Sequence, residues 1–391
     1  MAPDALLPWL RQTRRHLHAL PELSGQEFAT SAYIRQVLTD LGVEVRDYPG
    51  PTGVVGLIRG QGPGPTIALR ADIDALPLQE LNEVPYRSQN EGVMHACGHD
   101  GHAAMVLGVA RQIRLGGRLA GFKGNLKLLF QPAEESGLGA AQMVAQGVLE
   151  DPRVDMVLAC HLSPDQPLGA VRIFRDLGYA SNDRFRIKVR GRGCHGARPE
   201  EGSDPVAAAA YLITALQTIV ARNLRPTEAG VITVGRVRAG QTYNVIPEEA
   251  ELEGTVRALT TRARELLLAR LQEMCAALGP MFRVQAGLEL AEHMPSCCND
   301  PKVAALLHRA AAAVAGPEAV SYVPPIMGSE DFAFFTQARP GALFRLGTAE
   351  PEKGPPRALH SPRFDFDERV LTLGVEVFLT ALEEALGLRK A

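Results

Sequence analysis

Short apolar runs and helical patterns alternate along the first part of the chain. Runs typical of buried parallel strands occupy residues 66–69, 126–130 and 154–159, and helical periodicity covers residues 103–114 and 139–149. Strands that alternate with helices predict an α/β layer with a mostly parallel sheet. Polar residues follow each run, and the carboxyl ends of parallel strands meet at one edge of a sheet. The pattern therefore predicts a site at that edge.

The pattern changes near residue 182. Residues 184–190 alternate between polar and apolar, as in a half-exposed strand. Asp204 and Pro205 then supply an N-cap residue and a first-turn proline for an alanine-rich helix that ends near residue 221. Further strands are predicted at 231–237, 250–257 and 282–290, and a further helix at 262–278. The order β-α-β-β-α-β predicts a ferredoxin-like domain.

The C-terminal part returns to the first pattern, with a helix predicted at 302–315 and a strand at 342–346. The simplest architecture is one α/β domain formed by residues 1–181 and 293–391. The smaller domain, residues 182–292, is inserted between its two parts. The chain has 391 residues, more than a single hydrophobic core usually supports, so two domains fit its length.

Composition is ordinary for a soluble globular protein, with 46% apolar and 22% charged residues. A net charge of -3 gives no reason to expect nucleic acid or an anionic membrane as partner. No apolar run follows the arginines near the start, so a secretory signal is not expected. The helix at 205–221 is apolar but short and interrupted by Gln217, which favours a buried helix over a membrane span. Six irregularly spaced cysteines favour reduced thiols in the cytoplasm over a disulfide framework.

The segment Met94–His102 contains three histidines, a cysteine and an aspartate. Cys97 and His99 can reach one metal ion from a single tight loop, because the glycine between them lets the backbone bend closely. A thiolate and an imidazole are both common ligands of transition metals. The spacing therefore predicts a metal site at this loop.

Other candidate ligands lie in three more segments, at Glu135, His161 and His360. Together with Cys97 and His99 they make five, more than a closed tetrahedral zinc site uses. Two metal ions that share a bridging ligand would use five or more protein groups. A structural zinc or a redox switch at Cys97 is the alternative hypothesis, and the number of ions bound per chain distinguishes the two.

The pair Glu134-Glu135 adds a candidate for acid–base chemistry. Neighbouring side chains in an extended segment point in opposite directions, so Glu135 can bind metal while Glu134 faces a metal-bound water. Glu134 would then act as general base, taking a proton from this water and returning it to the leaving group.

Eight short motifs carry a resemblance that runs nearly from end to end. In chain order they are residues 14–18 with 21–23, 69–77, 94–102, 131–135, 193–197, 244–247, 327–332 and 359–362. With these motifs in this order, the chain resembles the co-catalytic metallo-aminoacylase and carboxypeptidase family. Its most similar branch contains hippurate hydrolases, auxin-conjugate amidohydrolases and N-acetyl-diaminopimelate deacetylases.

The resemblance implies that the five candidate ligands bind two divalent metal ions and that Glu134 is the acid/base. Asp74 would be the carboxylate behind the metal site, with Asp72 beside it. The larger domain would be catalytic, and the inserted domain would be a lid that also dimerises and whose His195 polarises the scissile carbonyl. Two positions depart from the branch, Cys194 before the lid histidine and Glu200 after the following proline. Neither is an expected metal or proton-transfer position, so these departures concern the acyl or leaving-group preference and leave the expected reaction class unchanged.

Two more residues are candidates for binding a substrate carboxylate. Arg257 ends a predicted strand and could hold a carboxylate through two hydrogen bonds, although a surface arginine explains it equally well. Asn244 could donate to the same carboxylate, or could only shape the turn before Pro247.

The reaction expected from the resemblance is hydrolysis of a small N-acyl amino acid, hippurate-like or N-acetylated, to a carboxylic acid and a free amino acid. The alternatives are a dipeptidase or carboxypeptidase with the same dinuclear site, and a metal-binding homologue without catalysis. The ions expected are zinc, manganese, nickel or cobalt, and the enzyme is expected to be cytoplasmic and to form a homodimer or a dimer-based homo-oligomer.

Overall fold

The computed structural model describes residues 6–349 and 357–389, apart from the side chain at position 292. The chain divides into two compact units. Unit 1 comprises the described residues of Met1–Asp176, Cys298–Pro324 and Asp331–Ala391, and unit 2 comprises Leu177–Cys297 and Pro325–Glu330.

The strands of the described chain have the following bounds: β1 Glu44–Arg46, β2 Val54–Arg59, β3 Thr66–Asp72, β4 Asn125–Gln131, β5 Met156–Pro167, β6 Val171–Phe174, β7 Leu177–Tyr179, β8 Ser181–Arg190, β9 Cys194–His195, β10 Gly230–Ala239, β11 Val245–Ile246, β12 Glu249–Ala258, β13 Gln285–Met294, β14 Cys297–Cys298, β15 Val320–Val323 and β16 Gly341–Ala349. The α-helices are α1 Leu6–Ala19, α2 Phe28–Asp40, α3 His99–Arg114, α4 Gly139–Ala145, α5 Pro205–Arg222, α6 Thr261–Phe282, α7 Pro301–Ala315, α8 Ala333–Ala338 and α9 Val370–Ala385.

Unit 1 is built on an eight-stranded sheet with the order β1-β2-β4-β3-β5-β16-β6-β15. The central strands β4, β3, β5 and β16 run parallel to their neighbours in that series, as β15 does to β6. Antiparallel pairs lie towards the edges, at β1–β2 and β2–β4, and at β16–β6. The predicted α/β class with a mostly parallel sheet is therefore confirmed.

Helix α3 is the central helix of unit 1 and packs against β3, α1 and α9. Its residues from His99 to Ala110 are buried. The helices approach closely at Gly108, where an added Cβ would lie 2.7 Å from Leu10 Cδ2 and 2.9 Å from Val375 Cγ2. This packing fixes the N-terminus of α3, where the cysteine–histidine loop is located, because close-packed interiors tolerate little displacement.

Unit 2 contains a four-stranded antiparallel sheet with the order β10-β12-β8-β13. Helices α5 and α6 pack on the sheet and on each other around a separate apolar core. This is the predicted ferredoxin-like arrangement. The predicted cap is also present, because the Asp204 carboxylate accepts hydrogen bonds from the backbone N–H groups of Val206 (2.8 Å) and Ala207 (3.2 Å).

Helix α5 is the one helix of the described chain that is long and apolar enough to cross a membrane by length and composition. About a third of it, 33%, is buried in the protein. Its buried residues, which include Leu212, Leu216 and Ile219, belong to the core of unit 2, while Tyr211 on another face is 61% exposed. The predicted buried helix is therefore buried along one face only.

Several predicted elements have other bounds in the structure, among them α6, which continues to Phe282 instead of residue 278, and β13, which spans Gln285–Met294 instead of 282–290. Strand β5 continues to Pro167, well beyond the predicted end at residue 159, because its second half pairs with β16 as far as Ala349. Helix α4 ends at Ala145 instead of residue 149. Gly147 adopts a left-handed φ of 78° and its N–H bonds back to the carbonyl of Val144, which ends the helix.

Candidate metal centre

The predicted site residues of unit 1 gather at one edge of its sheet. Asp72 is the last residue of β3 and lies opposite Gln131, the last residue of β4. Glu134 and Glu135 follow β4 by three and four residues. His161 lies within β5, two residues beyond the pairing of Arg70 with Ala159. The prediction that His161 follows the end of its strand is wrong, but the side chain still reaches the same edge.

Cys97 and His161 lie at the separation expected of two ligands on one metal ion. The distance from Cys97 Sγ to His161 Nε2 is 3.6 Å. Metal–sulfur and metal–nitrogen bonds of roughly 2.3 and 2.05 Å at a tetrahedral angle place the two donor atoms roughly 3.6 Å apart. Gly98, with a φ of 87°, turns the chain between Cys97 and the first residue of α3, His99. The predicted loop geometry is therefore present.

The ring nitrogens of two histidines are set for metal binding. His99 Nδ1 lies 2.9 Å from the Asp74 carbonyl oxygen, and His161 Nδ1 lies 2.7 Å from the Leu162 carbonyl oxygen. A carbonyl only accepts, so each Nδ1 carries the proton and donates it. Each Nε2 then keeps its lone pair for a metal ion, which is the usual arrangement of metal-binding histidine.

The second part of the cluster is formed by His360 and the two glutamates. His360 Nε2 lies 3.4 Å from Glu135 Oε1, close to the roughly 3.4 Å expected between nitrogen and oxygen ligands on one tetrahedral ion. His99 Nε2 lies 3.9 Å from Glu135 Oε1 and 4.0 Å from Glu134 Oε2. The backbone N–H of His360 donates to the Ala96 carbonyl at 2.8 Å, which joins the C-terminal segment to the cysteine–histidine loop.

Of the five groups of described residues whose ligand atoms lie within 4.8 Å of one another, three consist only of Glu134 and the candidate ligands. They are Cys97, His99 and His161; Cys97, Glu135 and His360; and His99, Glu134 and Glu135. Any two of these three groups share one residue, as expected where two ions lie side by side. Among the described residues, His99 Nε2 and Glu135 Oε1 are buried and make no hydrogen bond. Buried polar atoms are rarely left unpaired, so the donor set fits two metal ions.

Cys97 is buried, and burial disfavours the charged thiolate form that binds metal. It raises the pKa of Cys97 well above the ordinary thiol value, although the neighbouring His99 opposes this shift. A buried thiolate is stable only next to a positive charge, and a bound metal ion would supply that charge.

Asp74 lies directly behind the cluster. One carboxylate oxygen accepts from the Ser24 hydroxyl (2.7 Å) and from the backbone N–H of Glu135 (3.0 Å), and the other lies 3.3 Å from His99 Nδ1. Burial acts to raise the pKa of Asp74, but the contacts with His99, Ser24 and Glu135 outweigh it and lower the pKa. Asp74 is thus an ionised carboxylate that orients His99.

Asp72 is held on the opposite side of His99. Arg70 donates to Asp72 Oδ2 at 2.7 Å, and His102 donates from Nδ1 to Asp72 Oδ1 at 2.6 Å. His102 Nε2 accepts the backbone N–H of Leu162 at 2.9 Å. Both nitrogens of His102 are therefore used, and the ring supports the site without being free to bind metal.

A buried ionic network adjoins the loop on the side of helix α1. Asp100 pairs with Arg14 at 2.7 Å and with His18 Nδ1 at 2.8 Å, and Arg14 also pairs with Asp365 at 3.0 Å. Asp365 follows His360 by five residues. Arg14 thus connects the first turn of α3 with the segment that carries the last candidate ligand.

His195 lies in unit 2, in the short strand β9. It is exposed, and its Nδ1 accepts the backbone N–H of Ala197 at 3.0 Å. The proton is therefore on Nε2, which can donate to an oxyanion. Val245 pairs with His195, and the Asn244 carbonyl accepts from the Gly196 N–H at 2.9 Å, so the structure brings Asn244 next to His195.

Arg257 is half-buried at the end of β12 in the same unit. Its guanidinium donates to the Met327 carbonyl at 3.0 Å and lies 3.5 Å from the Ser329 hydroxyl. These contacts fix the side chain, which is therefore not a loose surface arginine.

The sequence did not predict two residues that contact the site residues, Ser24 and Glu27. Ser24 donates to Asp74, and the Glu27 carboxylate accepts from the backbone N–H of Ala133, which precedes Glu134. Neither has a local sequence signal for this role, because Asp74 lies 50 positions from Ser24 and Ala133 lies 106 positions from Glu27. Only the adjacent motif at residues 21–23 points to this segment.

The fold and the clustered donors define a metal-dependent hydrolase, and comparisons with known proteins identify its family. Residues 68–384 match the model of Peptidase family M20/M25/M40, and the chain belongs to this family. It is 39% identical over 358 residues to an N-acetyl-L-cysteine deacetylase of Bacillus subtilis (strain 168), covering 92% of this chain and 83% of the relative. It is 38% identical to thermostable carboxypeptidase 2 of Saccharolobus solfataricus, covering 94% and 92%.

A solved structure with the same fold is that of the Bacillus subtilis YXEP protein, described as a dinuclear metal binding peptidase from the M20 family. The two share a TM-score of 0.86 and 34% identity over 99% of each chain. The resemblance seen in the motifs is therefore confirmed, and this protein is a metal-dependent amidohydrolase.

Proposed function

We propose that the enzyme hydrolyses the amide bond of small N-acyl amino acids, releasing a carboxylic acid and a free amino acid. The observation that carries the proposal is that Cys97, His99, Glu135, His161 and His360 form overlapping ligand groups, one of which includes Glu134, at one edge of the sheet. The similarity to a deacetylase of an N-acetyl amino acid supports this substrate class.

Two divalent ions would be held by these five ligands, and when bound they would polarise the scissile carbonyl and activate a water. A thiolate ligand favours zinc, cobalt or nickel by its softness, while the carboxylate is also compatible with manganese. Metal analysis of protein reconstituted with each ion, together with turnover, distinguishes these choices.

Three side chains would then have separate roles in proton transfer, in orienting a metal ligand and in stabilising negative charge. Glu134 takes a proton from the attacking water and passes it to the leaving nitrogen. Asp74 keeps His99 in the tautomer that binds metal. His195 donates its Nε2–H to the oxygen that becomes negative in the transition state, where stabilisation has the largest effect on rate.

Asn244 and Arg257 are proposed to bind the carboxylate of the amino-acid product. Arg257 carries a guanidinium whose remaining N–H groups suit a carboxylate. Asn244 is exposed beside His195, so its amide is accessible to a substrate. Arg257→Met would then raise KM for an N-acyl amino acid more than for the corresponding N-acyl amine.

A turnover screen tests the substrate class. Acetyl-, benzoyl- and longer-acyl amino acids are compared with dipeptides and with carboxypeptidase substrates, for protein loaded with zinc, manganese, nickel or cobalt. Higher kcat/KM for N-acyl amino acids than for peptides supports the proposal. The similarity to a carboxypeptidase makes peptide hydrolysis the second candidate, and a preference for peptides would establish it.

The base is tested by Glu134→Gln. This variant keeps the shape of the side chain but cannot take a proton, so we expect both metal ions to bind while kcat falls about 10²-fold or more. Near-normal turnover in a metal-replete Glu134→Gln protein would remove Glu134 from this role and would leave catalysis to another group.

The unit that contains β8–β13 is proposed to be the lid and dimerisation domain, and the enzyme is proposed to be a cytoplasmic homodimer. Support comes from the ferredoxin-like sheet, whose outer strands β10 and β13 could pair with another chain. Light scattering at several concentrations tests the dimer directly.

A further inference from the structure

Glu27 is a buried carboxylate that does not serve the helix at whose start it lies. It occupies the N-cap position of α2 but makes no side-chain bond to that helix. The first turn is capped by Glu22, which accepts from the backbone N–H groups of Ala29 (3.0 Å) and Thr30 (2.8 Å). The side chain of Glu27 is completely buried. Burial of a carboxylate is costly without partners, so its contacts indicate its role.

Three hydrogen bonds connect Glu27 to its own loop and to two distant segments. Oε1 accepts the backbone N–H of Gly25 at 2.9 Å and that of Ala133 at 2.8 Å. Oε2 accepts the Thr52 hydroxyl at 2.7 Å. The bond to Ala133 crosses 106 residues of sequence and reaches the residue directly before Glu134.

Ala133 has a backbone conformation that needs such support. Its φ is 56°, in the left-handed region, where a side chain with a Cβ is disfavoured. The turn that follows is closed by the Gly137 N–H donating to the Glu134 carbonyl at 2.7 Å and by the Ser136 hydroxyl donating to the Ala133 carbonyl at 3.0 Å. Glu27 accepts the N–H at the start of this turn.

We propose that Glu27 is a positioning residue for the reaction. It holds Ala133 in the left-handed conformation and so sets the direction of the Glu134 side chain relative to the bound water. The inference rests on the proposed role of Glu134 as base. It assigns to Glu27 no contact with substrate or metal; the carboxylate acts through its hydrogen bond to the loop.

Two substitutions separate the reach of the side chain from its charge. Glu27→Asp keeps the charge but withdraws the carboxylate by one methylene, so it cannot contact Ala133 and Thr52 together. Glu27→Gln loses the charge but keeps the reach. Its amide oxygen can accept from Gly25 and Ala133, and its NH2 group can donate to the Thr52 oxygen.

If Glu27 acts by position, Glu27→Asp lowers kcat by about 10- to 100-fold, with KM and the content of two metal ions unchanged. Glu27→Gln stays within about threefold of the wild type because it satisfies the same hydrogen bonds. The matched control is the pair Glu22→Asp and Glu22→Gln, in the same segment. These variants weaken the cap of α2 and lower the melting temperature, but they leave kcat unchanged.

The proposal is overturned if Glu27→Asp is as active as Glu27→Gln or more active, since charge or general stability would then be what matters. It is also overturned if Glu27→Asp loses metal in proportion to activity. Should Glu27→Asp not fold, Thr52→Ser and Thr52→Val provide the same contrast, because only the serine variant keeps a hydroxyl for Glu27. Equal kcat in those two variants would then overturn the proposal.

Failure of the proposed base has a different signature. If Glu134 is not the base, Glu134→Gln remains active. The comparison of kcat between Glu27→Asp and Glu27→Gln reports only whether Glu27 holds the loop in position.

Discussion

Left-handed backbone occurs in three of the four segments that supply the candidate ligands, and His161, in the extended strand β5, belongs to the fourth. Gly98 lies between Cys97 and His99 with a φ of 87°, Ala133 precedes the two glutamates with a φ of 56°, and His360 has a φ of 61°. The last two are unfavourable for residues with a side chain and persist only where surrounding contacts hold them. Clustered strain of this kind is typical of sites whose geometry matters more than local stability.

Cys97→Ser tests the thiolate ligand. Serine replaces a thiolate by a neutral hydroxyl, which binds transition metals poorly, so we expect one of the two ions to be lost on dialysis and turnover to fall. Elemental analysis with activity measures both. Cys160→Ser is the control, because Cys160 is also buried and adjoins His161 but points to the opposite face of β5. Two retained ions and unchanged turnover in Cys97→Ser would exclude Cys97 as a ligand.

Lys127 gives the fold a pH dependence that is unrelated to the site. It is buried in β4, its Nζ donates to the Val148 carbonyl at 2.9 Å, and burial lowers its pKa from 10.5 to about 8. Between about pH 8 and 10.5 the unfolded chain binds more protons than the folded one, so the free energy of unfolding rises with pH across this window.

Lys127→Met should remove that rise, which is worth up to about 3 kcal/mol. Urea unfolding of the wild type and of Lys127→Met at pH 7.5 and pH 10, with metal in excess, measures how much the free energy of unfolding of each protein changes between the two pH values. If this change is the same in both proteins, Lys127 keeps its ordinary pKa in the folded state.

At the scale of elements, the two units contain matched helix starts. Asp300 caps α7 by accepting from Lys302 (2.8 Å) and Val303 (3.1 Å), as Asp204 caps α5, and a proline follows both aspartates. Asp204→Ala and Asp300→Ala should each lower the free energy of unfolding by about 1 kcal/mol. The first weakens unit 2 and the second weakens unit 1.

Calorimetry with and without a chelator assigns the transitions. If the units unfold separately, only the transition shifted by Asp300→Ala also shifts on metal removal, because all five candidate ligands lie in unit 1. A single transition that both variants shift equally would instead show that the two units unfold together.

The local sequence pattern predicted helices, strands and caps well where the residues in contact are close in sequence. The Asp204 cap is confirmed for that reason, and the order β-α-β-β-α-β is confirmed because each of its elements has its own local pattern, although β8 pairs with the distant strands β12 and β13. The length of β5 was missed because its second half pairs with β16, some 180 positions later. Likewise the cysteine–histidine loop is visible in nine consecutive residues, whereas Glu27 and Ser24 contact their partners only after folding.

At the scale of the whole molecule, the proposed chemistry requires residues of both units. Glu134 belongs to unit 1 and His195 to unit 2. The family resemblance predicts that each His195 serves the active site of the partner chain in a dimer. Glu134→Ala and His195→Ala proteins, each inactive alone, should then regain about a quarter of wild-type activity when unfolded and refolded together.

The quarter follows because random pairing makes half of the dimers mixed, and each mixed dimer has one site with both residues intact. Native mass spectrometry confirms that mixed dimers form. Mixed dimers without activity would mean that His195 acts within its own chain, and an active His195→Ala protein would mean that His195 has no role in turnover.

The position of β16 has a consequence for synthesis on the ribosome. This strand lies between β5 and β6, yet it begins at Gly341, well over a hundred residues after β6 ends at Phe174. The nascent chain therefore carries two unsatisfied strand edges, for roughly 8 to 35 s at ordinary rates of translation. During that interval the exposed edges can pair with other chains. We expect production of soluble enzyme in a cell to depend on chaperones that cover β5 and β6 until the last strand arrives.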